Sequence, residues 1–401
     1  MTDTSAEPDP VPTIEVGELL RAADRGEPMV LLDVRNEDEA RAWAFEARRA
    51  VATVRVPYFD FIEDEAGSIS KIPSGRDVAV ICAHGGSSEM VARLLAEAGV
   101  PARHVTGGMV AYGEYLEPVA VPLDAGEASR FAVWQINRRG KGCLSYVVAS
   151  GGEAVVVDPS RNIAWFADFA ARQGLRVTRV LDTHVHADHV SGGPALAAMS
   201  GAPYSVSAGP GLELHHPVLP LDDGQMLWVG GQTGAGIAVG VLFTPGHTPG
   251  SISYLVDGRY LLTGDTLFTR SVGRPDLGGK LDDWGRTLFT SITGRLAPLP
   301  DEVVVLPAHY AGAHEIDANG VVSARLGHLR RTVPELRCRS ADAFVASIRA
   351  GVREPPAAYE EITRVNLGVG SPESDAITQW ELGRNECAVS GRHAGAGRPE
   401  R

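Results

Sequence analysis

Short runs of β-branched and aliphatic residues recur along the chain, separated by stretches with helical spacing of apolar positions. Residues 16–25 have the periodicity of a helix, and 28–34 (Pro-Met-Val-Leu-Leu-Asp-Val) that of a buried strand. A second helix is predicted over 37–48, an extended stretch over 53–57 and another buried strand over 77–82. A helix over 88–98 stops at Gly99, and Gly107 and Gly108 turn into a last helix starting at Met109. Strands alternating with helices predict a parallel sheet covered on both faces, a domain spanning residues 12–122.

The pattern changes after a Pro- and acid-containing stretch, 118–129, which places a linker at 123–130. Strands follow at 131–137, 144–148 and 154–158, then a helix at 163–173 and a strand at 177–182. A helix is predicted at 194–200, and 227–256 is again strand-rich with glycine turns at 230–236. This second domain runs over 131–330. Residues 331–383 read as a helical extension packed on it. Residues 1–11 and the Gly-rich tail 384–401, which holds His393, are expected to be disordered. The fold class is α/β in both parts.

Composition alters this picture only by exclusion. The 401 residues are 44% hydrophobic and 22% charged, as in a water-soluble globular protein, and the net charge of -13 argues against a nucleic-acid partner. No apolar run is long enough to span a membrane, and the start of the chain lacks a secretory pattern. Cys82, Cys143, Cys338 and Cys387 are too few and too scattered for a disulfide framework, so a reducing, cytoplasmic setting is expected. The chain is expected to act alone or as a homodimer.

Chemistry concentrates in Thr183-His184-Val185-His186-Ala187-Asp188-His189, directly after the strand at 177–182. Three imidazoles and a carboxylate this close would each need a polar partner if buried, and a metal ion serves them all. On an extended turn, His184 and His186 point the same way and can grip one ion, with Asp188 and His189 turned to a neighbouring position. Three further polar sites each follow an apolar strand: Gly246-His247-Thr248-Pro249-Gly250-Ser251, Gly264-Asp265-Thr266-Leu267-Phe268 and Pro307-Ala308-His309-Tyr310. Strand ends are rigid platforms, so ligands set there can converge.

In the first domain, Cys82-Ala83-His84-Gly85-Gly86-Ser87-Ser88 joins a strand end to a helix start. Backbone N–H groups would face the sulfur and favour its nucleophilic thiolate form. This loop, with Leu31-Leu32-Asp33-Val34-Arg35 and Gly107-Gly108-Met109, resembles the rhodanese domain. The resemblance implies a persulfide-carrying catalytic Cys82. Active rhodanese loops usually carry arginine, whereas Ala83, His84 and Ser87 stand here, so anion gripping by the loop is either weaker or falls to His84 and the N–H groups. A domain serving only for binding or sulfur sensing is the alternative.

The ordered set of four motifs over residues 131–314 resembles the metallo-β-lactamase superfamily. That implies an αββα sandwich with metal ligands at one edge. Carried over, His184, His186 and His247 would form one site and Asp188, His189 and His309 a second, with Asp265 bridging.

Within that superfamily the chain resembles the persulfide dioxygenases more than glyoxalase II. It pairs the metal domain with a rhodanese-like one, has Ser251 near where glyoxalase II tends to place a histidine, and carries Gly273-Arg274-Pro275-Asp276. Its C-terminal part (334–336, 342–345, 355–362, then Val365-Asn366-Leu367-Gly368) follows the dioxygenase tail. This resemblance implies one Fe(II) held by His184, His247 and Asp265. The other four ligand positions would act as orienting groups. The substrates would then be O2 and a low-molecular-weight persulfide. Arg274, with its bidentate fork, is the candidate for gripping a carboxylate of the thiol carrier, the alternative being an ordinary surface ion pair. All seven ligand positions of a two-zinc thioester hydrolase are also intact, and the sequence leaves that alternative open.

Overall fold

The computed structural model describes residues 11–231, 236–352 and 358–388. The expectations for the N-terminus to residue 10, for part of the 230–236 turn, for 355–357 and for His393 lie outside the described residues. Among the described residues, no helix is long and apolar enough to cross a membrane.

The chain divides into two compact units. One comprises Met1–Glu117 with Arg138–Lys141 and Leu382–Arg384, the other Pro118–Asn137, Gly142–Glu381 and Asn385–Arg401. In the first, strands β1 (Thr13–Ile14), β2 (Met29–Asp33), β3 (Ala52–Arg55), β4 (Asp77–Ile81) and β5 (Ala102–Val105) form a sheet in the order β1-β5-β4-β2-β3, parallel throughout. Both faces are covered, as its continuous hydrophobic strands require. Leu32, Val78 and Val80 pack against the helix Gly86–Glu97 on one side. Leu31, Ala79 and Ile81 pack against the helices Val16–Arg25 and Gly108–Glu114 on the other. Buried Arg35 forks onto Asp33 at 3.0 and 2.7 Å and donates to the Trp43 carbonyl at 2.8 Å.

That anchoring explains one departure from the sequence expectation. The helix predicted over 37–48 ends at Ala42, and Trp43 turns extended, burying its ring with Nε1 donating to the Gly140 carbonyl at 3.0 Å. Burial of an aromatic outweighs local helix preference. Two short helices, Tyr58–Glu63 and Glu65–Ser70, occupy a stretch for which no element was expected.

The second unit holds two six-stranded sheets. The first, ordered β11-β10-β9-β8-β7-β6, comprises β6 (Leu116–Ala120), β7 (Phe131–Arg138), β8 (Cys143–Ser150), β9 (Glu153–Val157), β10 (Arg176–Leu181) and β11 (Tyr204–Ser205). The other runs in sequence from β12 (Met226–Val229) through β13 (Ile237–Phe243), β14 (Ile252–Val256), β15 (Tyr260–Gly264) and β16 (Val304–Pro307) to β17 (Ala324–Arg325). Alternate residues of the two sheets, among them Tyr146, Val155, Val239, Tyr254 and Leu262, share one core. Outside, Phe166 and Phe169 of the helix Ile163–Arg172 are buried, Phe169 packing edge-on against Trp134 of β7 at 5.6 Å. The helices Leu281–Ser291 and Ala341–Arg349 bury Leu288, Phe344 and Ile348 with Leu261 and Val305 of the other sheet. This is an αββα sandwich.

Strand β6 reaches back into the stretch assigned from sequence to the first domain, its continuation tied to β7 by Val121 N–H donating to the Val133 carbonyl at 2.8 Å. The linker expected at 123–130 contains a short helix, Ala125–Ala128, closed by a capping box of Asp124 and Glu127. After β17 come the helices Leu326–Thr332, Ala341–Arg349, Tyr359–Asn366 and Ser374–Trp380. The disorder expected from residue 384 does not hold for 385–388. Asn385 donates to the Gly142 and Tyr310 carbonyls at 3.0 and 3.3 Å, and the Cys387 carbonyl accepts from Arg274 N–H at 3.0 Å.

Candidate metal centre

The polar motifs all leave strand ends on one edge of the sandwich. Strands β9 and β10 run parallel and deliver Asp158 and the histidine loop. Strands β15 and β16 also run parallel, with Gly264 opposite Pro307 and Ala308 N–H donating to the Gly264 carbonyl at 3.0 Å. Asp265 and His309 therefore emerge side by side, with His309 Nδ1 2.6 Å from Asp265 Oδ1. Two bonds stitch the histidine loop to the opposite sheet. Ile252 N–H donates to the Thr183 carbonyl at 2.7 Å, and the Tyr254 hydroxyl to the Asp182 carbonyl at 2.9 Å.

Hydrogen bonds sort the seven expected ligands. Thr183 Oγ1 gives its proton to Asp158, at 3.0 and 3.1 Å, so it can only accept from His184 Nδ1 at 2.9 Å. His247 Nδ1 likewise faces the Arg274 carbonyl at 2.8 Å. Both rings thus carry the proton on Nδ1 and present a bare Nε2. These nitrogens lie 3.8 and 3.4 Å from Asp265 Oδ2, and all three atoms are buried with no hydrogen-bond partner. Burial holds both His184 and His247 below the usual imidazole range, so they stay neutral. Burial alone would raise Asp265, but His309, His247 and His184 hold it well below the carboxylate range. Two lone pairs and a carboxylate oxygen within 4.8 Å of one another fit a divalent cation, and without one their burial would be uncompensated.

The remaining ligand positions have other partners. His186, expected to share an ion with His184, instead places Nε2 3.0 Å from Asp158 Oδ1 and leaves Nδ1 bare. Asp188 sits between His189 Nδ1 and His309 Nε2, each at 3.0 Å. Burial would lower both of these rings, but Asp188, joined by Asp265 at His309, raises them well above the usual range.

Several contributors escaped the sequence reading. Cys143 is brought beside His309 by a backbone bridge, and its thiol lies 3.3 Å from Asp188 Oδ2. Cys387 clusters with Asp265 and His309. Neither has a local signal. Asp158 does have one, because Val-Val-Val-Asp-Pro is also an apolar strand ending in a carboxylate, here with the unusual φ of 51°.

Arg274 forms an ion pair within the fold. Its buried guanidinium forks onto Asp276 at 2.9 and 2.7 Å, and its backbone is tied between His247 and Cys387. The fork that would grip a substrate carboxylate is already filled. Arg274→Met is accordingly expected to cost about 3–5 kcal/mol of stability, as removing one partner of a buried pair does, read from the shift in a urea unfolding midpoint. Neighbouring Gly273 admits no larger residue, since a Cβ there would lie 1.8 Å from the Asp265 carbonyl. Tyr310 is buried and donates to Asn137 Oδ1 at 2.9 Å as a packing residue.

In the first unit, Cys82 follows β4. Its sulfur accepts from Gly85 N–H at 3.0 Å and donates to Ser88 Oγ at 3.3 Å. The loop is fixed by Met109 N–H on the Cys82 carbonyl at 2.8 Å and Val110 N–H on that of Ala83 at 3.0 Å. Gly108, at φ 58°, allows this approach, because a Cβ would meet the Cys82 carbonyl at 2.3 Å. His84 stands exposed on the loop.

Residues 138–309 match the metallo-beta-lactamase superfamily and residues 15–115 the rhodanese-like domain. Hydroxyacylglutathione hydrolases of Anaeromyxobacter dehalogenans and Acidiphilium cryptum are 37% and 32% identical over 44% and 51% of this chain. The human mitochondrial persulfide dioxygenase ETHE1 is 31% identical over 39% of it. The chain spans 65%, 83% and 59% of these relatives' lengths, respectively. Among solved structures, ETHE1 from Myxococcus xanthus superposes with a TM-score of 0.50 at 29% identity, covering 58% of this chain and 96% of that one. A metallo-beta-lactamase from Staphylococcus aureus gives 0.54 at 27%, covering 59% and 72%. The fold and the buried ligand set define a metal-binding αββα protein. The chain belongs to the metallo-beta-lactamase superfamily and carries a rhodanese-like domain ahead of its metal-binding fold.

Proposed function

We propose that the protein is an iron-dependent dioxygenase that oxidises a low-molecular-weight thiol persulfide, such as glutathione persulfide, with O2 to sulfite and thiol. The observation that carries this reading is the convergence of His184 Nε2, His247 Nε2 and Asp265 Oδ2 as one buried triad without hydrogen-bond partners, while His189 and His309 lie against carboxylates in a neighbouring cluster with Cys143 and Asp188. Two imidazoles and one carboxylate are the donor set that suits Fe(II) and leaves positions open. When bound, such an ion supplies O2 chemistry and a place to bind the persulfide sulfur beside it.

The chain's own residues do the rest. Thr183 and the Arg274 carbonyl hold the two rings in the tautomer that exposes Nε2, and His309 fixes the Asp265 carboxylate from its other oxygen. Asp188 keeps His309 charged, so Asp265 stays ionised. In the balanced reaction, one persulfide, one O2 and one water give thiol, sulfite and two protons. Cys82 would carry sulfane sulfur in a separate transfer step, with sulfite as a natural acceptor giving thiosulfate.

A second reading, a two-metal thioester hydrolase acting on glutathione thioesters, is favoured by the bare Nδ1 of His186 and by the hydroxyacylglutathione hydrolase relatives. Oxygen consumption by anaerobically iron-loaded protein separates the two. The proposal expects rapid uptake with stoichiometric sulfite on adding glutathione persulfide, and no turnover of lactoylglutathione. Thioester cleavage by the zinc-loaded protein without oxygen uptake would overturn it.

A further inference from the structure

We infer that Asn366 is a positioning residue of the metal centre, through which the helical segment after the superfamily-matched region holds the ligand loop in shape. The loop aims three imidazoles and a carboxylate from six consecutive positions, and its backbone can then pair with neither sheet nor helix. The groups left over must be satisfied from elsewhere. Asn366, buried at the end of the helix Tyr359–Asn366, does most of this. Its Nδ2 donates to the His186 and His189 carbonyls at 2.9 and 2.8 Å, and its Oδ1 accepts from Ser191 N–H at 2.9 Å. Both donors and the acceptor of one amide are spent on one loop. Buried Glu381 adds a fourth tie, accepting from Val190 N–H at 2.7 Å, with its other oxygen 3.6 Å from Arg161 Nε.

The match to the superfamily stops at residue 309, so both ties come from sequence beyond it. An amide is the side chain that suits the task, since it offers two N–H groups and a carbonyl in one plane. A carboxylate at 366 would put an oxygen against two carbonyl oxygens and push the loop apart.

The test uses full-length, metal-free protein and cobalt(II) as the probe, with affinity from chelator competition and ligand geometry from the visible spectrum. Asn366→Asp is expected to bind cobalt about 10–100-fold more weakly, the usual cost of losing an outer-shell partner, with an altered spectrum. Glu381→Ala should move both readouts in the same direction and serves if Asn366→Asp does not fold. Ile362→Ala removes a buried apolar side chain from the same helix without touching a polar group of the loop. It should lower the melting temperature yet leave cobalt affinity and spectrum unchanged. Wild-type cobalt binding in both Asn366→Asp and Glu381→Ala, or an equal loss in Ile362→Ala, would overturn the inference. The inference needs only that the triad binds a divalent ion. A cobalt effect without oxygen uptake would therefore count against the dioxygenase reading alone.

Discussion

His247→Ala and Asp265→Asn are each expected to lose bound iron and to reduce persulfide-dependent oxygen uptake on the order of 1,000-fold. A bound metal supplies several kcal/mol to the chemistry it supports, and each ~1.4 kcal/mol is a factor of ten. Neither substitution should unfold the sandwich. His247→Ala gives up the bond to the Arg274 carbonyl and the edge-on contact with the His184 ring, and the amide introduced by Asp265→Asn keeps an oxygen for His309. His186→Ala should behave differently. His186 hydrogen-bonds to Asp158 and gives no ligand atom to the triad, although its ring centre lies 4.2 Å from that of His184, so its loss should weaken iron binding about 10–100-fold and leave activity measurable at saturating iron. Metal content by elemental analysis and an oxygen electrode give both readouts. A His186→Ala protein as inactive as Asp265→Asn would mean that the ring swings its bare Nδ1 onto an ion, and would favour the two-metal reading.

That contrast between His184 and His186 marks where the sequence stops being informative. The strands and the polar residues at their ends were legible because burial imposes apolar runs and ligands follow them abruptly. His184, His247, Asp265 and His309 lie close together beyond the strand ends that carry their motifs. Which ring faces which partner was not legible, because Asp158, 28 residues earlier in the chain, turns His186 away. The same is true of Arg274. Its motif suggests anion recognition, yet Asp276, two residues on, fills the guanidinium fork only because both are buried together. Residues 385–388 look like a polar tail, and only Gly142, Arg274 and Tyr310 in the fold show that they are held. The helix Leu281–Ser291 was similarly hidden, since its buried positions include a glycine and a serine. Long-range polar contacts leave no local periodicity.

The Cys82 loop makes the second large prediction. Cys82→Ser should abolish transfer of sulfur from thiosulfate to cyanide while oxygen uptake with glutathione persulfide persists, since Cys82 and the triad belong to different compact units. In the transfer step the Cys82 thiolate attacks the outer sulfur of thiosulfate, the sulfur–sulfur bond breaks with its electron pair leaving on sulfite, and a cysteine persulfide remains. Serine nearly matches cysteine in shape and can keep the contacts to Gly85 and Ser88, but its oxygen forms no persulfide. The loop stabilises the sulfur with the Gly85 N–H and the start of the helix Gly86–Glu97, and it carries Ala83, His84 and Ser87 with no arginine. A dianion such as thiosulfate should therefore bind weakly, and a persulfide donor carrying less charge should transfer faster. Loss of oxygen uptake in Cys82→Ser would show that the two sites are coupled. If the wild-type protein transfers no sulfur from either donor, the hydrogen bonds around Cys82 serve binding or sensing, and the missing arginine is what separates that role from catalysis.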